Sequence, residues 1–249
     1  MKLKRRSKLP KPYYETELGK LYHGDCLDII PLLPKVDLIL ADPPYRQTTS
    51  GGGITRKRKD FIKMDKSDLN NFKPEPFLEL IKSHHNSFHA YIFCSKNLLK
   101  DYISFIDENK YGWDLIVMNK NNPIPTKKNK YLSDTEYIIF IRSTDKTHYF
   151  NNFLPYRYYK KVKRINVKPH QYHITEKQPA IISELLKIST TENQLVLDPF
   201  IGGGTTAVVC EYLNRKWIGI EKKESDCNVS AKRIENMVRR NKQKEMFFK

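Results

Sequence analysis

The chain has 249 residues, of which 39% are hydrophobic and 29% are charged. This composition excludes an intrinsically disordered protein and is sufficient for one large domain with a substantial core. The net charge is +17, and 25 of the 45 lysines and arginines lie in four segments, 1–12, 46–63, 157–168 and 232–249. Because the positive charge is concentrated, it favours a polyanionic partner, most commonly nucleic acid, over a charge that serves solubility alone.

The sequence also limits the environment and the metal chemistry of the protein. Its apolar runs are too short for a membrane span, and prolines follow the basic N-terminus where a signal peptide would have an apolar segment. The four cysteines lack the spacing of metal ligands: Cys26, Cys94, Cys210 and Cys227. We therefore expect a cytoplasmic protein with reduced, mostly buried thiols and no bound metal.

Strand and helix patterns alternate after the basic, proline-containing arm of residues 1–18. Apolar runs predict strands at 19–22, 36–40, 88–94, 114–118, 135–141, 195–197 and 217–220. Amphipathic runs predict helices at 27–33, 76–85, 97–109, 176–188, 205–213 and 228–240. This alternation predicts a mainly parallel sheet with right-handed crossovers. Residues 46–73 lose the periodicity, which is typical of a mobile functional loop.

A stiff polar turn ends the predicted strand 36–40. Asp42-Pro43-Pro44-Tyr45 places a carboxylate and an aromatic ring directly after that strand, at the edge where open α/β sheets form binding sites. The two prolines fix φ and remove two backbone donors, so nearby carbonyl oxygens are available as acceptors. These residues alone also fit a plain alternative, a rigid turn in which Asp42 caps a helix.

A second motif follows about 155 residues later. The apolar strand 195–197 continues into Asp198-Pro199-Phe200, three glycines at 202–204, a helix, and a strand that ends at Glu221, 17 residues after Gly204. Glycines let the backbone approach a ligand closely, and an acid at a strand end can accept hydrogen bonds from both ribose hydroxyls. The combination predicts half of a nucleoside-binding fold.

Both motifs resemble signatures of one family, the amino-group DNA methyltransferases. Asp42–Tyr45 resembles their catalytic signature, and the run from Asp198 to Thr205 resembles their motif for S-adenosylmethionine. The catalytic motif comes first, as in the β group of the family. The resemblance covers residues 19–142 and 170–236. It implies a Rossmann-like α/β fold with a mixed sheet of about seven strands, helices on both faces and a small target-recognition insertion.

The resemblance also implies domain boundaries and roles for side chains. The catalytic half would span 19–142, and the cofactor half, with a basic C-terminal helix, 173–249. The catalytic set would be Asp42, Pro43, Pro44 and Tyr45. The cofactor set would be Asp25, Cys26, Asp42, Lys177, Asp198, Pro199, Phe200, Gly202, Gly204, Thr205, Thr206, Glu221 and Lys222. Two alternatives stay open: Asp25 caps the helix that follows it, and 173–179, which lacks the family's first proline and inserts Gln178, is only a helix start.

Residues 143–172 lie between the two halves, where the family carries its target-recognition region. Aromatic residues there are interleaved with lysines and arginines, which suits contact with DNA. We expect double-stranded DNA to contact this region and the 46–73 loop through Arg46, Arg56, Lys57, Arg58, Lys59, Arg157, Lys160, Lys161, Lys163 and Arg164. The alternatives are that Tyr149, Phe153 and Tyr156 pack a small subdomain and that the C-terminal basic run is a solvated helix face.

Asp42 and the segments 121–125 and 134–137 resemble the adenine-specific members, although Met118 stands where these commonly carry tryptophan. The expected activity is methyl transfer from S-adenosylmethionine to N6 of adenine in DNA, at a specific site and after base flipping. The alternatives are N4-cytosine methylation, RNA methylation and a non-catalytic nucleic-acid-binding subunit. The sequence leaves open whether the protein forms a homodimer or accompanies a restriction endonuclease.

Overall fold

The structure is a computed structural model that describes residues 8–44, 72–85, 87–123, 131–143, 148–166 and 177–247. Within these ranges the strands are β1 (Tyr14–Glu15), β2 (Gly19–His23), β3 (Leu38–Ala41), β4 (His89–Cys94), β5 (Gly112–Lys120), β6 (Thr135–Arg142), β7 (Val162–Ile165), β8 (Leu195–Asp198) and β9 (Lys216–Glu221). The α-helices are α1 (Cys26–Ile29), α2 (Pro74–His84), α3 (Leu99–Glu108), α4 (Pro179–Ser189), α5 (Thr205–Tyr212) and α6 (Glu224–Phe247).

The nine strands of the described chain form one sheet in the order β1-β2-β9-β8-β3-β4-β6-β5-β7. Neighbouring strands are parallel from β2 to β4, and β5 and β7 are also parallel to each other. The strands β1 and β6 run antiparallel to their neighbours. The predicted mixed, mainly parallel sheet is therefore confirmed. It has two more strands than expected, because the short segments β1 and β7 extend its two edges.

Helices cover both faces of the sheet and divide the apolar core into two layers. One layer contains Ile29 of α1, Phe77 of α2 and Tyr102 of α3, all at most 1% exposed. The other contains Leu185 of α4 and Cys210 of α5, both fully buried, together with residues of α6. The apolar stripes of these helices face the sheet, as expected for amphipathic helices in an α/β fold.

Proline determines where several helices begin or end. Pro74 and Pro179 occupy the first turns of α2 and α4, where the missing N–H removes no intrahelical hydrogen bond. The helix predicted at 27–33 is only a four-residue α-helix, followed by a 3-10 turn at Ile30–Leu32 that contains Pro31. The helix predicted at 228–240 is longer and spans Glu224–Phe247.

Some predictions need correction or lie outside the described residues. The apolar run at 114–118 predicts a buried strand. The strand exists within β5, but Met118 is its one buried residue, because β5 lies one strand from the edge of the sheet. The 46–73 loop lies outside the described residues except for its last two positions. The prediction of buried, unpaired cysteines is confirmed. No helix in the described ranges is long and apolar enough to cross a membrane.

Candidate active site and nucleic-acid interface

The two sequence motifs meet at the carboxyl edge of the sheet. Strands β9, β8 and β3 are parallel neighbours, with Leu197 of β8 beside both Ile39 and Ile218. Parallel strands end at a common edge, so Glu221 and Asp42 lie on either side of Asp198. The carboxylates of Asp42 and Glu221 are close enough to raise the pKa of Asp198. The fold thus brings Asp42 next to a loop that is about 155 residues distant in sequence.

The glycine turn after β8 has a backbone that only glycine adopts readily. Gly202 has φ 49° and Gly204 has φ 78°, both in the left-handed region. A Cβ on Gly204 would lie 3.1 Å from the side chain of Ser230. The Gly202 N–H donates to Glu221 Oε2 over 3.0 Å, which ties the turn to the end of β9. The turn therefore packs closely against Ser230 and is tied to β9, in a conformation that residues with a Cβ at 202 and 204 would strain.

Helix α6 supports this turn from behind, which the sequence did not indicate. Ser230 Oγ donates to the Gly202 carbonyl, and Arg233 Nη1 donates to the Gly203 carbonyl over 2.9 Å and to Thr205 Oγ1 over 3.0 Å. Ser230 and Arg233 are buried. Arg233 belongs to the basic segment 232–249, and it faces the protein interior. Nothing in the local pattern distinguishes it from its solvated basic neighbours.

Asp198 and Thr206 face inward and hold the turn together. Asp198 is 4% exposed, and its carboxylate accepts from the Phe200 N–H over 3.0 Å and from Thr206 Oγ1 over 2.5 Å. Burial raises the pKa of Asp198 to about 7, while these two hydrogen bonds lower it. Thr205 is also buried, and Phe200 packs edge-on against Phe77. The side chains of Asp198 and Thr206 thus stabilise the loop, which differs from the direct cofactor contact expected for them.

Glu221 is the acid that faces the turn at the end of β9. It is half-buried, and its second oxygen, Oε1, accepts from the Lys223 N–H over 2.8 Å. A carboxylate at the end of this strand is the kind of group that accepts hydrogen bonds from the hydroxyls of a ribose. The glycine turn and this acid together fit a nucleoside cofactor.

Asp25 and Lys222 lie beside Glu221, because the Gly24 N–H donates to the Glu221 carbonyl over 2.9 Å. Asp25 Oδ1 caps α1 by accepting from the Leu27 N–H over 3.0 Å, and Asp25 Oδ2 lies 3.4 Å from Lys222 Nζ. The capping alternative for Asp25 is therefore present in the structure, next to the expected cofactor site. Burial raises the pKa of the neighbouring Cys26 thiol to about 12, so Cys26 is an apolar side chain here.

Asp42 forms an ion pair with Lys177 immediately after β3. Lys177 Nζ lies 3.0 Å from Asp42 Oδ2 and 3.8 Å from Glu136 Oε2. The ammonium also lies 5.2 Å from the centre of the buried Phe93 ring. Lys177 was expected at the cofactor, and the structure places its ammonium beside the expected catalytic carboxylate.

For the remaining residues predicted to be catalytic or cofactor-binding, the described part of the chain gives burial and shows no specific contact that tests their roles. Pro43 and Pro199 are buried, and Pro44 is half-buried. Tyr45 lies outside the described residues, so its predicted role as a base-stacking ring stays a prediction.

The expected DNA-contacting residues of β7 and the segment before it fall into two groups. Arg157, Lys160 and Arg164 are exposed, and Lys161 is exposed while it pairs with Asp114. Lys163 differs: its side chain is 7% exposed and donates to Glu184 Oε2 over 2.9 Å and to the Tyr158 carbonyl over 2.6 Å. The prediction of a phosphate contact for Lys163 conflicts with this placement, because alternate residues of a strand point to opposite faces of the sheet. Arg46, Arg56, Lys57, Arg58 and Lys59 lie outside the described residues.

The aromatic residues of this segment also divide into two groups. Phe153 is 97% exposed and Tyr156 is 82% exposed, so neither packs a subdomain as the alternative supposed. Tyr159 has that role: its hydroxyl donates to the Asn151 carbonyl over 2.6 Å, and its ring stacks on Phe150. Two exposed rings among exposed cations form a surface suited to nucleic acid.

Comparison with known proteins defines the class. The DNA methylase family matches residues 36–232, and the chain belongs to this family. It is an S-adenosylmethionine-dependent DNA methyltransferase.

Individual relatives extend over almost the whole chain. The Type II methyltransferase M2.LlaDCHI of Lactococcus lactis subsp. cremoris is 29% identical, over 91% of this chain and 93% of its own. M2.DpnII of Streptococcus pneumoniae is 28% identical, with the same shares covered. The crystal structure of the M1.HpyAVI–SAM complex is 29% identical, with a TM-score of 0.66, and covers 86% of this chain and 99% of its own. The fold is shared with the PvuII DNA methyltransferase (cytosine-N4-specific). That structure is 18% identical, has a TM-score of 0.67, and covers 94% of this chain and 95% of its own.

Proposed function

We propose that this chain methylates N6 of adenine at specific sites in DNA, with Asp42 as the residue that binds and orients the target amine. The observation that carries the proposal is the position of Asp42 at the end of β3, one strand away from the glycine turn that follows β8. A methyl donor held by that turn and an amine held by Asp42 would lie at the same edge of the sheet.

Asp42 and Pro43 supply what the reaction requires of the protein. The exocyclic amine of adenine is a poor nucleophile because its lone pair is delocalised into the ring. Hydrogen bonds from the amine to the Asp42 carboxylate and to the Pro43 carbonyl would draw it towards tetrahedral geometry and localise that pair. Fixed orientation supplies much of the remaining acceleration. S-adenosylmethionine supplies the activated methyl group when it is bound.

The residues around the glycine turn fit the cofactor. Gly202 and Gly204 give the turn its left-handed backbone, and Glu221 would offer a carboxylate to the ribose. Asp25 and Lys222 border the same end of β9 and would lie beside the nucleoside. Asp198 and the other inward-facing residues of the cofactor set would contribute indirectly, because their hydrogen bonds stabilise the glycine turn that binds the cofactor.

The adenine must leave the duplex before its amine can reach Asp42, and Tyr45 would stack on the flipped base. Arg157, Lys160 and Arg164 would contact phosphates, which gives affinity that does not depend on sequence. A cytoplasmic location and an accompanying restriction endonuclease are also part of the proposal, and relatives of the chain are named Type II methyltransferases. A homodimer is part of the proposal and is tested by the mass of the protein in solution.

Nucleoside analysis tests the base and the substrate together. The protein is incubated with methyl-labelled S-adenosylmethionine and duplex DNA, and the digested nucleosides are separated. We expect label in N6-methyladenine. Label only in N4-methylcytosine, or transfer to tRNA or rRNA with none to duplex DNA, would overturn the proposal.

Asp42→Asn tests the assigned residue, with Asp37→Asn as a matched control at the other end of the same strand. Asp37 Oδ2 accepts from the Leu195 N–H over 2.7 Å, a bond that an asparagine oxygen can also accept. We expect Asp42→Asn to abolish methyl transfer and retain cofactor binding, and Asp37→Asn to remain active. Wild-type turnover in Asp42→Asn would remove Asp42 from the mechanism.

A further inference from the structure

Four alternating charges lead from the outer part of the sheet to Asp42. Lys120 Nζ at the end of β5 lies 2.7 Å from Glu136 Oε1 near the start of β6. Glu136 Oε2 lies 3.8 Å from Lys177 Nζ, and Lys177 Nζ lies 3.0 Å from Asp42 Oδ2. The exposed fractions of the four side chains are 21%, 23%, 13% and 19%, so solvent screens them only in part.

Lys177 therefore has two carboxylates within reach, and this affects what Asp42 can do. The same carboxylate that would accept from the target amine already faces an ammonium. A lysine with a single counter-ion in a partly desolvated site would bind that counter-ion tightly. A second carboxylate at 3.8 Å weakens the attraction of Lys177 to Asp42, because the ammonium has a competing partner.

We propose that Glu136 is a positioning residue for methyl transfer: it shares the Lys177 ammonium with Asp42 and so keeps the Asp42 carboxylate accessible to the target amine. The inference rests on the role proposed above for Asp42. Lys120 acts in the opposite direction, because it occupies the other oxygen of Glu136 and reduces the pull of Glu136 on Lys177. Neither residue contacts the reacting atoms in this account.

The test separates the charge of Glu136 from its shape. Glu136→Gln keeps the size of the side chain and removes the charge, and we expect kcat at saturating DNA and S-adenosylmethionine to fall about tenfold, the size of one charge-assisted interaction. Cofactor affinity and the KM for DNA should not change. Glu136→Asp keeps the charge and should lose less than about threefold, whereas Lys120→Met should raise kcat by up to about twofold, as for a weak ion pair.

Glu184→Gln is the matched control. It also removes the charge of a carboxylate that pairs with a lysine, Lys163, and Glu184 lies on α4, away from Asp42. It should leave kcat unchanged. Wild-type kcat in Glu136→Gln, an equal loss in Glu136→Asp, or a fall in Lys120→Met as large as in Glu136→Gln would each overturn the inference.

Asp42→Asn, measured in parallel, distinguishes the two proposals. Full turnover in that variant would reject the proposed function, whatever the Glu136 variants show. An inactive Asp42→Asn together with a fully active Glu136→Gln would reject only the role of Glu136.

Discussion

Glu221 ties the glycine turn to the end of β9 and is the proposed acceptor for the ribose, so its removal should weaken both the fold and cofactor binding. In the structure its carboxylate accepts from the Gly202 N–H over 3.0 Å and from the Lys223 N–H over 2.8 Å. Glu221→Ala removes both acceptors and the proposed partner of the ribose. Glu221→Gln keeps one carbonyl oxygen as an acceptor and removes the charge.

The expected magnitude follows from the number and type of these bonds. A hydrogen bond to a charged group contributes about 1.5–3 kcal/mol, which corresponds to roughly 10- to 150-fold in a dissociation constant. Glu221→Ala should therefore weaken S-adenosylmethionine binding by about 100-fold, and Glu221→Gln by about tenfold because a neutral acceptor stays in place. Glu221→Ala should also lower the melting temperature, since the glycine turn loses its tie to β9.

Isothermal titration calorimetry with S-adenosylmethionine measures the affinity, and thermal melting of the same samples measures the fold. Glu224→Gln is the control, because Glu224 is an exposed acid three residues further along the chain. Its affinity should equal that of the wild type. Wild-type affinity in the folded Glu221→Ala variant would show that the ribose is held elsewhere and would refute the assignment.

Two further predictions concern the DNA surface and the buried acid. Replacing Arg157 and Lys160 by alanine should lower DNA affinity and reduce the salt dependence of that affinity by about one slope unit per residue, measured in anisotropy titrations. Lys163→Ala should keep the wild-type slope and lower the melting temperature, because Lys163 pairs with Glu184 inside the protein. An unchanged slope in the double variant would reject Arg157 and Lys160 as phosphate contacts. The pKa of Asp198 is raised to about 7, so the stability that its neutral form contributes is present at acid pH and lost as pH rises through 7. Relative to Asp198→Asn, the melting temperature of the wild type should therefore fall between about pH 4, the pKa of an unfolded aspartate, and about pH 7; equal pH dependence in both would contradict this.

The sequence predicted the strand and helix order well because those signals are local. Apolar runs, amphipathic periods and prolines lie within a few residues of the elements they define, as at Pro179 before α4. The proximity of Asp42 to the glycine turn could also be inferred, because parallel strands that end in functional residues share one edge. The short edge strand β1, two residues long, carried too little local pattern to be predicted.

Which way individual side chains face was decided only by the tertiary structure. Lys163 and Arg233 each lie in a run of basic residues whose other members are largely exposed. Lys163 nevertheless donates a hydrogen bond to Glu184, and Arg233 on α6 donates to the glycine turn. The alternating charges that reach Asp42 likewise come from strands and a helix far apart in the chain. A sequence determines which residues are charged, whereas the pairing of those charges depends on packing between distant elements, and no local pattern records it.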